Sequence, residues 1–250
     1  MVHFAGSNGF VSAISPPPQV GLGLIIFAFQ NAFGGSVTAR ISPAEVISIY
    51  GSGIGPSTPS TATPANGFFP TTLAGVQVTI NGINMPLLYV SANQVNAVVP
   101  MEIAPGASAT IHVIDGVVLD PAYPVWIVDS APQAFATVLN QNGTINSQTN
   151  PAQQGSIVTF YTTGWQTNFS PLTDGQVATM AQNVCLPSVC QTVPAGAVLY
   201  GGAAPGIVAG VSQLNVQIGM IQSSLTSPFL CGFSVMGASG DLNQAVWVAP

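Results

Sequence analysis

The sequence predicts an all-β chain, with two immunoglobulin-like β-sandwich domains in tandem behind an extended N-terminal arm. Three observations carry that expectation. A set of short blocks occurs twice, apolar and polar residues alternate within those blocks, and no amphipathic pattern is long enough for a three-turn helix. At 250 residues the chain can bury one large core or two ordinary ones, and the duplication favours two. The boundaries that follow are an arm over 1–34, a first sandwich over 35–130 and a second over 131–250.

The first copy of the blocks runs Ile47-Ser-Ile-Tyr-Gly-Ser-Gly53, then Gly75-Val-Gln-Val-Thr-Ile-Asn-Gly82, then Gln94-Val-Asn-Ala-Val-Val-Pro100. The second runs Val158-Thr-Phe-Tyr-Thr-Thr-Gly164, then Gly196-Ala-Val-Leu-Tyr-Gly-Gly202, then Gln213-Leu-Asn-Val-Gln-Ile-Gly219. Tyr50 and Tyr161 stand 111 apart, whereas Gln94 and Gln213 stand 119 apart, so the later copy has the longer intervening loop. The paired amides Gln94/Asn96 and Gln213/Asn215 lie on one strand face in each copy, and their recurrence predicts a shared structural role.

Taken in order, the arm opens with a mixed apolar and Gly/Ser segment, and Pro16-Pro-Pro18 follows as a stiff spacer. Val20 to Phe29 then reads as a strand rather than a helix, because of its glycines and β-branched residues. Such an apolar strand either completes the arm's own first sandwich or is donated to a neighbouring subunit. In the second case Val20, Leu22, Leu24, Ile26, Phe27 and Phe29 form an assembly arm.

The first sandwich begins with Val46 to Tyr50, stopped by the glycine-rich turn Gly51-Ser-Gly-Ile-Gly55. That turn superficially resembles a phosphate loop but has no following lysine or helix. Val76 to Ile80 alternates cleanly, and Asn81-Gly82 predicts a type I′ hairpin turn. Met85 to Val90, Gln94 to Val99, Ala109 to Ile114 and Tyr123 to Val128 supply further strands. The crossing starts at Ser130-Ala-Pro132; a hairpin about Asn142-Gly143 and the second set of blocks follow, closing on Ala245 to Ala249.

Composition narrows the function. Charged residues make up 3% of the chain, lysine is absent, Arg40 is the only strong base, and the net charge is −6. No basic patch exists to neutralise phosphates, which excludes nucleic acid as a partner and polybasic docking to an anionic membrane. The longest apolar run, Val20 to Phe29, is too short to insert in a membrane. A surface so poor in charge repels its copies weakly, so self-association is expected. This composition suits an extracellular or cell-surface location, and there Cys185 and Cys190, separated by Leu-Pro-Ser-Val, are expected to form a disulfide, the rivals being a bond from Cys231 to either one or three reduced buried thiols. The N-terminus lacks the basic stretch of a signal peptide, so either an export signal has been removed or Met1 is not the biological start.

Beyond the repeat itself, Ile41-Ser-Pro-Ala-Glu-Val-Ile-Ser-Ile-Tyr-Gly-Ser-Gly-Ile-Gly-Pro56, Pro70 to Gly82 and Pro86 to Pro100 resemble the uncharacterised C-terminal domain family of secreted proteins from Solibacter and related acidobacteria. In the second half Asn150 to Gly164 and Ala204 to Val216 carry the same resemblance. The family has no assigned catalytic residues. What it implies is secretion. Its domains usually end large exported proteins, whereas here they make up nearly the whole chain, which suggests a stand-alone role.

The residues supply little for catalysis. His112 sits mid-strand, and Asp115, Asp120 and Asp129 fall at strand ends and turns where aspartate is ordinary. No spacing suggests a metal site or a bound cofactor. Trp126 and Trp247 alternate with valine or isoleucine and are expected in the core, whereas Trp165 follows Gly164 in a loop and is the candidate surface contact. The leading expectation is a secreted, non-enzymatic structural protein that self-assembles into a filament or surface layer, with the arm donating a strand. The alternative is a cell-surface adhesion or glycan-binding module.

Overall fold

The computed structural model describes residues 24–116, 118–119, 122–165, 172–181, 190–193, 196–219, 228–235 and 242–249. These residues form strands and turns, with no helix among them, so the chain is all-β. The first half contributes β1 (Ile25–Asn31), β2 (Arg40–Ile41), β3 (Val46–Ser52), β4 (Ser60–Thr61), β5 (Thr72–Leu73) and β6 (Val76–Ile80). It continues with β7 (Ile83–Asn84), β8 (Leu87–Val90), β9 (Gln94–Val98), β10 (Ser108–Asp115), β11 (Val118–Leu119) and β12 (Tyr123–Ile127). One sheet has the order β1-β3-β9-β8-β4. The other follows β2-β12-β10-β6-β5, with β11 added to β10 and β7 to β6.

The period-two pattern explains why these sheets pack. Ile47 and Ile49 of β3 and Val95 and Ala97 of β9 share one core with Val76, Val78 and Ile80 of β6 and with Ala109, Ile111 and Val113 of β10. Their alternate neighbours point to the opposite face of each sheet, where Val46, Ser48 and Val98 are themselves buried. Asn81 and Gly82 take positive φ values of 49° and 82° and join β6 to β7 with Ile80 opposite Ile83, the two-residue hairpin expected from Asn-Gly.

The second half contributes β13 (Gln133–Ala134), β14 (Leu139–Asn140), β15 (Ile157–Thr163), β16 (Cys190–Val193), β17 (Gly196–Ala203), β18 (Val211–Ile218), β19 (Phe229–Val235) and β20 (Leu242–Val246). One sheet runs β13-β15-β18-β17 with β14 added to β15, and the other runs β16-β19-β20. Its core gathers Val158, Phe160, Leu214, Val216, Ile218, Val246 and Val248. A third apolar cluster, Val46, Val98, Ala204, Val208 and Val211, draws on both halves.

Two expectations change here. β1 pairs antiparallel with β3 of its own chain, from Ile25 opposite Ser52 to Asn31 opposite Ile47. Leu24, Ile26 and Phe29 are buried in the first core, whereas Ile25 and, at a bulge, Phe27 are exposed. Within the single chain these apolar positions complete its own first sheet, the first of the two alternatives for the arm. Val20 and Leu22 lie outside the described residues.

The repeat also needs realignment. β9 is flanked by β3 and β8, and β18 is flanked by β15 and β17, so β17 corresponds to Leu87–Val90 and not to the Gly75–Gly82 block. The registers agree residue by residue. Tyr89 stands opposite Asn96 and Tyr200 opposite Asn215, with a bulge just before each tyrosine. Leu87 and Val198 are 111 apart, like Tyr50 and Tyr161, so the eight extra residues of the second copy fall between β17 and β18.

Candidate functional site

The outward faces of the two repeated strand triplets carry the same polar arrangement. In the first half Ser48 Oγ donates to Asn96 Oδ1 at 3.0 Å, and Gln94 Nε2 donates to the same oxygen at 2.8 Å. In the second half Thr159 Oγ1 and Gln213 Nε2 donate to Asn215 Oδ1 at 3.0 and 2.9 Å. Strand register puts these groups together, since Ser48 faces Asn96 and Thr159 faces Asn215. Tyr50 and Tyr89 flank the first triplet, and Tyr161 and Tyr200 the second. Each asparagine spends its oxygen on two donors, which leaves its Nδ2 and the glutamine Oε1 without a side-chain partner among the described residues.

Both outward faces run into the junction between the halves. Val46 N–H donates to Thr163 Oγ1 at 2.9 Å, and the Thr163 hydroxyl donates to Gly210 O at 2.8 Å. Gly210 has φ +102°, and a Cβ there would collide with the Ala44 carbonyl oxygen. Gly164, at φ +80°, is pressed in the same way against Ala131 O. Ser42 Oγ lies 3.3 Å from Gly164 O. A strap formed by residues 174–177 crosses back onto the first half, with Phe69 N–H bonded to Gly175 O and Val177 N–H to Gly67 O, both at 2.8 Å.

Beside this junction opens a groove of about 470 Å³. Phe33, Phe69, Phe135 and Tyr161 give it an aromatic lining, and Leu88 and Ile207 complete the walls. Phe33 and Phe135 meet edge to face, 5.5 Å between centroids and 65° between planes, and Phe135 stays 45% exposed. None of its lining residues is ionisable except the Tyr161 phenol. No triplet side chain lines the groove, but strands run from it to both triplets: Val46, in its wall, is two residues from Ser48 on β3, and Tyr161 is two residues from Thr159 on β15 and paired with Gln213.

A second depression, about 370 Å³, is lined by Arg40 and Glu45 among others. Glu45 is fully buried, with Asn31 Nδ2 donating to Oε1 at 2.9 Å and Ser42 N–H to Oε2 at 2.7 Å. Burial pushes its carboxyl up from an ordinary 4.5 to about 7, against the opposing pull of the Ser42 N–H, Asn31 and the Ser42 hydroxyl. Asp174 is raised to about 6 by burial first and then by a hydrogen bond with Glu102, against the pull of Met101 N–H, 3.0 Å away. The lining of this depression holds no histidine, cysteine or aspartate, and both Glu45 oxygens already accept hydrogen bonds. Its geometry is that of a structural tie.

Other expected sites resolve differently. Trp165 is not a surface contact: it is 2% exposed, belongs to the second core, and its Nε1 donates to Thr162 Oγ1 at 2.6 Å. Trp126, expected in the core, is 44% exposed, because Val125 and Ile127 take the inward positions and a period of two turns the residue between them outward. Trp247 is half-buried for the same reason, between buried Val246 and Val248. His112 stands in β10 opposite Thr79. Cys185 lies outside the described residues, and with it the expected bond to Cys190, which begins β16. Among the described residues no cluster of three or more metal-capable side chains occurs, and no helix is long and apolar enough to cross a membrane.

The aromatic groove escaped sequence reasoning because Phe33, Phe69 and Phe135 lie in turns and irregular segments where no periodicity marks them. Phenylalanines set within glycine-, proline- and alanine-rich connections were the available signal.

No protein-family model and no curated protein matches the chain. Among solved structures it is similar to the surface glycan-binding protein PbSGBP-B from Prevotella bryantii, at 12% identity and a TM-score of 0.28. The similarity covers 88% of this chain and 41% of that one. A likeness that slight assigns neither a ligand nor a family.

Proposed function

We propose that this protein is a non-enzymatic, cell-surface module that binds neutral glycan in the groove between its halves. One observation carries the reading: an open aromatic groove from which strands β3 and β15 lead to the same hydroxyl–amide–amide triplet in each half. Sugars present apolar C–H faces and rings of hydroxyls. Aromatic side chains suit the first, and amides held in place by their own hydrogen bonds suit the second. The absence of carboxylate and base from the lining favours an uncharged ligand, and it supplies no acid–base pair for cleaving one. The charge-poor composition and the resemblance to secreted acidobacterial proteins support an extracellular setting.

The test is isothermal titration of the purified chain against soluble β-glucan, xylan, mannan and α-glucan, alongside Phe135→Ala and Tyr161→Ala. Binding of one polysaccharide class, weakened at least about tenfold by each substitution, supports the reading. Glycan binding that is indifferent to both substitutions moves the site elsewhere, and no binding to any of the four rejects the proposal.

A further inference from the structure

Strands lead from the groove to two polar triplets, not one, and the arrangement of the pair carries information about ligand length. Each triplet leaves the same groups unspent, the two N–H of an asparagine (Asn96 or Asn215) and the carbonyl of a glutamine (Gln94 or Gln213). Half-buried amide groups of this kind need water or a ligand to complete their bonding. Sequence duplication alone would give two equal and independent sites. Here the junction locks them together, through the Thr163 hydroxyl bridging Val46 and Gly210 and through the glycine contacts at Gly164 and Gly210.

The path between the triplets can be bounded. It runs two residues from Ser48 to Val46, across the 2.9 Å hydrogen bond to Thr163, and four residues back to Thr159. At the usual strand rise that path is no more than roughly 30 Å long. That bound lies within reach of an oligosaccharide several rings long. The aromatic groove opens at the junction that this path crosses, with Val46 and Tyr161 in its wall.

Resting on the glycan reading above, we infer that the ligand is an uncharged oligosaccharide several units long that meets both triplets at once, so that the protein selects chain length as well as sugar type. Linking two weak contacts on a rigid frame makes the second effectively intramolecular, and affinity then rises steeply once the ligand spans both. A polyanionic chain gains nothing here, because the groove lining contains no cation and the chain as a whole carries −6.

The experiment uses the full chain with size-defined cello-, xylo-, manno- and malto-oligosaccharides, read by calorimetry for affinity and stoichiometry. In whichever series binds, short members are expected to bind weakly with two per protein, and long members one per protein at least tenfold more tightly. Asn96→Ala and Asn215→Ala should each lower long-chain affinity about tenfold, and each should reduce short-chain stoichiometry from two to one. Affinity independent of length, or a 1:1 ratio for the shortest binding member, overturns the inference while leaving glycan binding intact. No binding in any series removes both. Circular dichroism of each variant separates loss of binding from loss of fold.

Discussion

The two copies of the strand triplet agree in nearly every polar detail and part company in their connections. Turns leading into the first strand correspond: Glu45 N–H bonds to Ser42 O in one copy, and Ser156 N–H to Gln153 O in the other. Val99 N–H bonds to Glu45 O as Ile218 N–H bonds to Ser156 O, both at 2.8 Å. Between the second and third strands, however, the first copy turns within Ser91–Asn93, whereas the second inserts eight residues ending near Gly210. Those residues supply Ala204 and Val208 to the cluster shared with Val211 of β18, and Ile207 to the groove. The two copies share the polar face, and the longer connection of the second brings its residues to the junction between the halves.

The sharpest way to break this comparison lies inside the insertion. Gly210→Ala adds a Cβ against the Ala44 carbonyl at a positive φ, and should cost on the order of 3 kcal/mol in urea denaturation. Gly206→Ala, at φ +81° in the same loop with open space around it, should cost about 1 kcal/mol. Equal losses would show that backbone conformation matters there and close approach does not.

Next comes Glu45, whose counterpart is the polar, partly exposed Ser156. Its carboxyl titrates near 7 when folded and near 4.5 when exposed, so the native state holds the extra proton between those values. Stability therefore falls as pH rises from about 4.5 to about 7, by about 3 kcal/mol. Asp174 adds a smaller fall over the lower window from 3.8 to about 6. Thermal melts of Glu45→Gln should show a flatter pH profile than the parent. An unchanged slope would assign the effect elsewhere.

Thr163→Val keeps the shape but strands Val46 N–H at the buried junction and removes the hydroxyl's bond to Gly210 O, and should cost about 2 kcal/mol. Ser52→Ala, at the matching position of the first copy, should change stability by less than about 0.5 kcal/mol. The smallest expected effect concerns backbone strain. Ala44 sits at φ +61° where the second copy has Gly155 at +79°. Ala44→Gly should relieve about 1 kcal/mol, and Gly155→Ala should lose a similar amount. Matching denaturation midpoints for both variants would refute the correspondence.

Much of this architecture was legible in the sequence, because strand periodicity is local: β3, β6, β9, β10 and β12 follow from alternation alone, and Asn81-Gly82 specified its turn. The misalignment of the second block has a physical origin. Bulges at Leu88 and Leu199 interrupt the alternation just where Leu-Leu-Tyr and Val-Leu-Tyr correspond, so the cleaner Val76–Ile80 run drew the comparison instead. The expectations for Trp126 and Trp247 failed on face assignment, since an aromatic residue between two inward valines or isoleucines must point outward. The junction and groove were illegible for a different reason. They join residues more than a hundred positions apart, such as Val46 with Thr163, and no local pattern encodes such pairs.

The pairing of β1 with β3 has a further consequence for how the chain withstands digestion. Trypsin recognises lysine and arginine, and the chain offers only Arg40, exposed and placed after β1 but before β3. A single cut there would free the N-terminal peptide covalently while leaving its ladder to β3, its buried Ile26 and Phe29, and the Asn31–Glu45 hydrogen bond in place. The nicked protein would then be a two-fragment complex, held by one strand and one apolar seam, in which a proteolytic scar is silent until a denaturant separates the pieces.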